Sequence, residues 1–221
     1  MQPKAVTFDI GGVIYSDDVF KRAILGALEE MVGQIDHAHF EAIYTAHLKS
    51  QSGSLRSKLC EAFLGSLDQR DELMKRATNL WKFAESDLYE DAKNCLIEIK
   101  KSGCAIAIIA NQAATVVDSL KRDGIAQYID FMGVSALVGI EKPNPEIFIK
   151  ALKALQVEPV NTIHIGNRLD TDVLPAQSLG MRTAWILRGE ANPDPSESDL
   201  KIPDIVAQSL IEIPQAVASL I

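Results

Sequence analysis

The sequence predicts an α/β protein with a doubly wound parallel sheet as its core and a small all-helical insertion. From Ala92 onward, short apolar runs alternate with stretches of helical spacing, which is typical of a parallel sheet covered by helices on both faces. One further apolar run, Ala5–Phe8, lies at the start of the chain, and the segment from Val19 to about Phe83 has helical spacing throughout. The two periodicities predict a Rossmann-like core interrupted by a helical cap.

The first strand, Ala5–Phe8, ends at the acid Asp9 and is followed by Gly11 and Gly12. A buried strand that ends at an acid and two glycines presents a reactive group at the edge of a sheet, with open backbone beside it. The alternative is a core strand whose final Asp caps a turn, and the segment alone does not exclude it. Signals farther along the chain favour a catalytic role for Asp9.

The helical insertion follows directly after this strand. Its apolar residues are spaced for about four helices. They are Phe20, Ile24, Ala27, Leu28 and Met31, then Phe40, Ile43, Tyr44 and Leu48, then Leu55, Leu59 and Phe63, then Leu73, Met74, Ala77, Leu80 and Trp81. We predict a core domain of residues 1–15 and 86–221 and a cap domain of residues 16–85, with the cap lying over the catalytic face of the sheet.

The remaining core elements alternate as strand and helix. The strands are predicted at Ala105–Ala110, Phe131–Ser135, Thr162–Ile165 and Thr183–Ile186. The helices are centred on Leu96–Ile99, Val116–Leu120, Ile147–Leu155 and Leu174–Leu179. The polar stretch from Arg188 to Pro203 is predicted to be an exposed loop. The tail is predicted to form a short edge strand and a terminal helix from Ile205, Val206, Leu210, Ile213, Val217 and Leu220.

An open parallel sheet binds its ligands at the carboxyl ends of the strands, where the strand order reverses. The residues that leave these ends are Asp9, Gly11, Gly12, Asn111, Gln112, Gly166, Asn167, Arg168, Asp170 and Asp172, and Lys142 heads a further loop. One lysine, several acids and amide-rich turns in one crevice are suited to bind a phosphate together with a divalent cation.

The composition is that of a globular chain without a polyanion-binding surface. The 221 residues are 47% hydrophobic, and 22 Lys and Arg against 30 Asp and Glu give a net charge of −8, so no nucleic-acid partner is expected. Cys60, Cys95 and Cys104 lack metal-ligand spacing and are predicted to be reduced core thiols. With no signal peptide or membrane-spanning run recognisable, we expect a cytoplasmic protein without a membrane partner.

Four motifs resemble, in their order, those of the haloacid dehalogenase (HAD) superfamily of aspartate-nucleophile hydrolases. The first begins at Asp9, where the family has Asp-x-Asp-Gly, and the second is Ala110-Asn111, where the family closes a strand with Ser or Thr. The third is Lys142-Pro143, and the fourth is Gly166-Asn167 with an aspartate five residues beyond Asn167. The resemblance covers nearly the whole chain, including the position of the cap.

The resemblance implies a magnesium-dependent phosphatase that acts on a small phosphorylated metabolite. Asp9 would attack phosphorus and form an aspartyl-phosphate, and Lys142 would neutralise phosphoryl oxygens and keep Asp9 ionised. The implied ligands of Mg²⁺ are the Asp9 carboxylate, the Gly11 carbonyl, Asn167 and Asp172. The implied phosphate ligands are Gly11, Gly12, Asn111 and Lys142.

Three positions depart from the family pattern, and each removes a catalytic group. Gly11 stands where the family has an aspartate that protonates the leaving oxygen, a contribution typically worth about 10²–10⁴-fold in rate. Ala110 lacks the motif-two hydroxyl, and Asn167 carries an amide in place of a carboxylate. Besides a slow phosphatase, two alternatives stay open: an impaired relative that binds a phosphate ligand or partner, and a metal-free dehalogenase in which Asp9 displaces halide from carbon.

The absence of an acidic side chain at Gly11 restricts the phosphate esters that we expect the protein to hydrolyse. Without it, anomeric, acyl and aryl phosphates are expected to react better than alkyl esters, because their leaving groups need little proton assistance. A replacement acid could come from Asp17, Asp18 or Glu141. The favoured interpretation is that Ser16, Asp17 and Asp18 cap the first cap helix.

Two further side chains have ordinary structural interpretations. His164, inside an apolar strand, is predicted to be a hydrogen-bonded core histidine. Arg168 is interpreted as a surface partner of Asp170 and Asp172, with a phosphate clamp as the alternative. The cap histidines are expected at solvated helix ends, and they are His37, His39 and His47.

Overall fold

A computed structural model describes residues 3–219 and contains a six-stranded sheet. Its strands are β1 (Ala5–Phe8), β2 (Ala105–Ala110), β3 (Phe131–Val134), β4 (Thr162–Gly166), β5 (Arg182–Ile186) and β6 (Ile205–Ala207). Their spatial order is β3-β2-β1-β4-β5-β6, and all neighbours are parallel. This is the doubly wound order, in which the winding reverses between β1 and β4. The predicted α/β fold class is confirmed.

Apart from α7, which the sequence analysis did not predict, the α-helices of the described residues lie where the 3.6-residue periodicity predicts them. They are α1 (Asp18–Val32), α2 (His37–Ser50), α3 (Leu55–Leu59), α4 (Arg70–Leu80), α5 (Ala92–Lys101), α6 (Val116–Arg122), α7 (Ser135–Val138), α8 (Glu146–Leu155), α9 (Leu174–Ser178) and α10 (Ile213–Ser219). The helical path of α3 continues in a π-helical turn at Cys60–Leu64, and another π-helical turn, Leu169–Val173, precedes α9.

The helical segment between β1 and α5 carries α1 to α4 and has an apolar cluster of its own. Ile24, Leu28, Phe40, Leu59 and Leu73 are fully buried in it. Each such side chain contributes about 1.5–3 kcal/mol on burial, so the four helices hold together largely through their shared apolar faces. The predicted helices are confirmed, whereas the domain boundaries at residues 15/16 and 85/86 stay a prediction.

The core sheet is covered on both faces, as its continuous apolar strands require. In β2, Ile106 and Ile108 belong to the cluster on one face, and Ala107 and Ile109 belong to the cluster on the other. Successive side chains of a strand point to opposite faces, so a run without polar residues is buried on both. Cys95 and Cys104 lie in the first of these clusters.

Three of the predicted strand boundaries differ from the observed ones by one residue, and the other boundaries of β1 to β5 coincide. Ser135 begins α7 and does not end β3, β4 extends to Gly166, and β5 begins at Arg182. The edge strand and terminal helix of the tail are confirmed up to Ser219, and Leu220 lies outside the described residues.

The predicted exposed loop after β5 is only partly exposed. Ala191 and Asn192 are buried against the rest of the protein, whereas Gly189, Pro193 and Asp194 are exposed. Cys60, like the other two cysteines, is buried and free, which confirms the prediction of unpaired core thiols. Within residues 3–219, no helix has the length and apolarity that a membrane crossing requires.

Candidate active site

Three predicted site residues meet at the winding reversal of the sheet. Asp9 follows β1, and its backbone N–H donates to the Ile165 carbonyl at 2.9 Å. The Lys142 ammonium lies 2.8 Å from Asp9 Oδ1 and 2.5 Å from Asp172 Oδ1. Lys142 is 5% exposed, Asp9 is 9% exposed and Asp172 is fully buried. One buried cation therefore bridges two carboxylates, one directly after β1 and one in the π-helical turn that follows β4.

The charges of this triad follow from burial and from the lysine. Burial raises the pKa of Asp9 to about 6, and the nearby Lys142 ammonium offsets only part of that effect. Burial also acts to raise the pKa of Asp172, but Lys142 and His164 outweigh it and hold that pKa well below its usual range. Burial acts to lower the pKa of Lys142, yet Asp172 and Asp9 keep it above its usual value. Asp9 is thus the member of the triad that titrates nearest neutral pH.

His164 stabilises this triad of charged side chains through a contact with Asp172. Its Nδ1 lies 2.9 Å from the Thr7 hydroxyl and its Nε2 lies 3.3 Å from Asp172 Oδ1. Burial lowers the pKa of His164, so the ring is neutral, donates from Nε2 to the carboxylate and accepts the hydroxyl proton at Nδ1. The prediction of a hydrogen-bonded core histidine is confirmed, and its link to Lys142 through Asp172 is new.

Asn111 holds the lysine loop in place. Its Nδ2 donates to the Lys142 carbonyl at 2.9 Å, and its Oδ1 accepts from the Lys142 N–H at 2.7 Å. Ala110 is fully buried beside it, whereas Ser135, at the start of α7, brings a hydroxyl to the same cleft and accepts from the Gln112 N–H at 3.2 Å. Asn111 thus positions Lys142. The predicted contact with phosphate would use the second hydrogen of Asn111 Nδ2.

The backbone N–H and carbonyl groups of Gly12 both have hydrogen-bond partners within the protein. Its N–H donates to the Tyr15 carbonyl at 2.7 Å, and its carbonyl accepts from Arg188 Nε at 3.1 Å. Its φ of 63° is a left-handed conformation that glycine adopts without strain. Gly11 lines the cleft, but Gly12 is not among the lining residues, so the predicted phosphate contact of the Gly12 amide is not supported by this arrangement.

The Asp17 side chain points into the site and does not cap α1. Its Oδ2 accepts from Asn167 Nδ2 at 2.8 Å and from the Glu190 N–H at 2.7 Å. No cap hydrogen bond involves the Asp17 side chain, whereas Ser16 Oγ accepts from the Asp18 N–H at 3.2 Å. The capping interpretation is therefore wrong for Asp17 and correct for Ser16.

The predicted magnesium ligands divide into two groups. Both Asp172 oxygens accept hydrogen bonds, from Lys142 and His164 at Oδ1 and from the Arg168 N–H at Oδ2, so its predicted ligand role is not supported. Asp9, Gly11 and Asn167 line the cleft. Asn167 donates from Nδ2 to Asp17, so the amide oxygen of Asn167 is free to act as a ligand.

These oxygen donors suit Mg²⁺ better than they suit a metal ion whose ligands are all protein side chains. Within residues 3–219, no three His, Cys, Asp or Glu side chains form a cluster that could hold a metal ion. Mg²⁺ binds hard oxygen ligands, keeps several waters and takes substrate phosphate oxygens, so one or two protein carboxylates suffice. The Asp9 carboxylate with neutral oxygens from Gly11 and Asn167 meets that requirement.

The site opens into a cleft of about 1450 Å³ that the helical segment and the core line together. Asp9, Lys142 and Asn167 lie on the core side, and Gln51 and His47 lie on the helical side. His47 is 4% exposed, so the expectation of a solvated helix end is wrong for this histidine, while His37 and His39 are exposed as expected. The space in front of Asp9 is large enough for a metabolite-sized ligand.

Arg168 lies at the edge of this cleft and is buried, with 8% exposure. It donates to both oxygens of Asp170 at 3.0 and 2.9 Å, which confirms that pairing, but the predicted surface location is wrong. Its contact with Asp172 uses the backbone N–H. The guanidinium also lies 3.6 Å from Glu190, and its NH1 has no hydrogen-bond partner among the described residues.

Sequence reasoning missed the contacts that join the helical segment to the core. Gln51 donates to the Glu190 carbonyl at 3.0 Å and accepts from the Leu169 N–H at 2.9 Å. The Tyr44 hydroxyl donates to Glu190 Oε1 at 2.6 Å. These residues are more than a hundred positions apart and follow no motif, so nothing in the local pattern could have indicated them.

The sheet order and the paired acid and lysine at its reversal place the protein among the α/β enzymes with a doubly wound core. The particular family follows from the sequence. A family model described as haloacid dehalogenase-like hydrolase matches residues 3–180, and the chain belongs to that family.

Relatives and solved structures agree with this family. The chain is 29% identical to a glyceraldehyde 3-phosphate phosphatase of Methanopyrus kandleri, with 91% of each chain covered. It is 28% identical to a phosphoserine phosphatase of Thermus thermophilus, with 86% of this chain and 80% of the relative covered. A putative HAD hydrolase from Bacillus subtilis, described as bound to magnesium, has a TM-score of 0.72 at 18% identity and covers 99% of this chain and 100% of its own.

Proposed function

We propose that the protein is a phosphatase that hydrolyses small phosphate monoesters through a covalent aspartyl-phosphate at Asp9. The observation that carries the proposal is the contact of 2.8 Å between Asp9 and the buried Lys142 ammonium at the floor of an open cleft. A carboxylate in that position can attack phosphorus, and a preorganised cation beside it offsets the charge on the phosphoryl oxygens. The phosphatases among the relatives support a small phosphorylated substrate.

Each residue around Asp9 has a distinct task in this proposal. Lys142 contacts a phosphoryl oxygen, and the Gly11 N–H and the second hydrogen of Asn111 Nδ2 complete the phosphate site. Asp172 and His164 keep Lys142 charged and directed at Asp9. Magnesium, held by Asp9, the Gly11 carbonyl and Asn167, would supply charge neutralisation for the phosphate.

We further propose that residues 16–85 act as a cap that closes over this site. The contacts that link the segment to the core around the cleft include Gln51 to Leu169, Tyr44 to Glu190, and Arg56 to Glu141 at 3.2 Å. Closure excludes water from the cleft, which strengthens the electrostatic contacts to the phosphate. The side chains of the segment would then select the substrate.

The proposal is tested by hydrolysis of 4-nitrophenyl phosphate with and without Mg²⁺. The wild-type protein is expected to need the ion, and Asp9→Asn is expected to lose turnover, because an amide cannot form the covalent intermediate. Asp118→Asn, an exposed acid on α6, is the matched control and is expected to retain full activity. Activity that survives Asp9→Asn overturns the proposal.

Two further measurements distinguish the proposed phosphatase from the two alternative functions. Binding of inorganic phosphate without any turnover identifies an impaired relative that only binds a phosphate ligand. Release of chloride from 2-chloropropionate without metal identifies a dehalogenase. Either result, obtained without Asp9-dependent phosphate release, replaces the proposed activity.

A further inference from the structure

The turn that follows Asp9 contains two adjacent glycines, Gly11 and Gly12. Glycine loses more conformational freedom than any other residue when its backbone is fixed, so such a turn needs restraint from outside itself. The Gly12 N–H donates to the Tyr15 carbonyl at 2.7 Å. Within residues 3–219, however, no backbone N–H donates to the carbonyl of Gly12 or of Val13. These two oxygens are the points at which another part of the chain can hold the turn.

Arg188, in the loop after β5, donates to both of these carbonyls. Its Nε lies 3.1 Å from the Gly12 oxygen, and its Nη2 lies 2.5 Å from the Val13 oxygen. The third nitrogen, Nη1, donates to Asp91 Oδ2 at 2.8 Å. The guanidinium carbon lies 3.8 Å from the centroid of the Tyr89 ring. Each nitrogen thus has an acceptor and the guanidinium also lies over a ring, so the fork is fixed in one position.

The Arg188 guanidinium contacts the turn from behind the active-site cleft. Arg188 is absent from the described residues that line the cleft, so it does not reach a substrate bound there. It lines a separate cavity of about 720 Å³, together with Tyr89, Asp91 and Leu210. The Asp91 side chain is 9% exposed, and its Oδ2 also accepts from the Leu210 N–H at 2.8 Å. The aspartate that holds Arg188 is therefore itself held in place.

We propose that Arg188 is a positioning residue, which fixes the turn so that the Gly11 N–H faces the phosphate and the Gly11 carbonyl faces Mg²⁺. The inference rests on the proposed phosphatase function. A charged donor forms hydrogen bonds roughly twice as strong as those of a neutral one, and the planar fork serves several acceptors at once. The Arg188 carbonyl also accepts from Asn167 Nδ2 at 3.2 Å, so this residue joins the turn after β1 to the loop after β4.

Arg188→Ala tests the proposal through two independent measurements. We expect kcat/KM for 4-nitrophenyl phosphate to fall about 10- to 100-fold, as is typical when a group that orients a metal ligand is removed. We also expect the half-saturating Mg²⁺ concentration to rise about tenfold or more, because the Gly11 carbonyl is no longer held. Isothermal titration calorimetry in the presence of inorganic phosphate measures the second quantity without turnover, and circular dichroism establishes that the variant is folded.

Arg122→Ala is the matched control. Arg122, at the end of α6, likewise pairs with an aspartate, Asp123 at 2.6 Å, and donates to a backbone carbonyl, that of Phe83 at 2.8 Å. That carbonyl lies outside the glycine turn, so we expect kcat/KM and the half-saturating Mg²⁺ concentration to stay at their wild-type values. Equal changes in the two alanine variants would mean that both report a general loss of structure, and would overturn the inference.

Arg188→Lys provides a second arm that keeps the charge and removes the fork. One ammonium cannot serve the Gly12 carbonyl, the Val13 carbonyl and Asp91 together, so we expect both quantities to worsen about 3- to 10-fold, the value of one ordinary hydrogen bond. A lysine variant with wild-type values would contradict the assigned geometry. A wild-type protein without Asp9-dependent turnover overturns the proposed function and this inference together, whereas Asp9-dependent turnover with both quantities unchanged in Arg188→Ala overturns the inference alone.

Discussion

Asp9 is under two opposing electrostatic influences at the scale of the single residue. Its burial disfavours the carboxylate, and the Lys142 ammonium 2.8 Å away favours it. Burial is the larger effect, so the pKa of Asp9 rises from 3.8 to about 6. The Lys142 ammonium therefore limits the rise in the pKa of Asp9 but does not abolish it. This effect is smaller than the one expected from the sequence, in which Lys142 keeps Asp9 ionised.

The raised pKa predicts how activity depends on pH. Only the carboxylate form of Asp9 can attack phosphorus, so kcat/KM is expected to fall as pH decreases below about 6, by about tenfold per pH unit. A pH profile of kcat/KM with 4-nitrophenyl phosphate at constant Mg²⁺ measures it, since this parameter reports the free enzyme. A profile that stays flat down to the ordinary aspartate pKa of 3.8 would contradict the assignment.

At the scale of the element, the edge strand β3 and its neighbour β2 leave little room between them. β2 and β3 are parallel neighbours, with Ile109 in register with Gly133. A Cβ atom on Gly133 would lie 2.5 Å from the Ile108 carbonyl oxygen, which is backbone and cannot rotate away. Glycine is therefore required in β3 by the close approach of β2, and not by an unusual φ.

Gly133→Ala is expected to lower the free energy of unfolding by about 1–3 kcal/mol, because the two strands must separate to admit the methyl group. Gly26→Ala in α1 is the matched control. There the new methyl meets only the end of the Leu80 side chain at 3.1 Å, and alanine favours the helix, so little loss is expected. Urea unfolding measures both variants, and equal changes would refute the strand-contact explanation.

At the scale of the whole molecule, a few contacts across the cleft join the helical segment to the core. Gln51, with a left-handed φ of 42° after α2, spans from the helical segment to Leu169 and Glu190. These hydrogen bonds involve backbone groups of the two core loops that follow β4 and β5. One side chain thus couples the position of the helical segment to the loop that carries Asn167 and Arg168 and to the loop that carries Glu190.

Gln51→Asn tests this coupling. Asparagine tolerates the left-handed backbone but is too short to reach both loops. With two hydrogen bonds of about 0.5–1.5 kcal/mol each lost, we expect kcat/KM to fall about 5- to 100-fold. We also expect the radius of gyration from small-angle X-ray scattering to increase. If both quantities stay at their wild-type values, Gln51 does not hold the cleft closed.

The fold could be predicted almost completely from the sequence because its signals are local. Ala5–Phe8 and Ala105–Ala110 are uninterrupted apolar runs, and the 3.6-residue spacing of the inserted segment has no other simple explanation. The candidate site was predicted in part for the same reason. Asp9 and Asn167 directly follow strands of a parallel sheet, whose carboxyl ends share one edge.

The sequence by itself determined the succession of strands and helices along the chain and the family resemblance. It also predicted that Asp9 and Lys142 lie in one site. Only the tertiary structure decided that Asp17 fills the space above Gly11, that His164 supports Lys142 through Asp172, and that Gln51 joins the two halves of the cleft. The physical reason is that periodicity reports the burial of each residue relative to its neighbours in the chain. Which distant side chain enters a vacant space depends on how loops pack in three dimensions, and no local pattern records that.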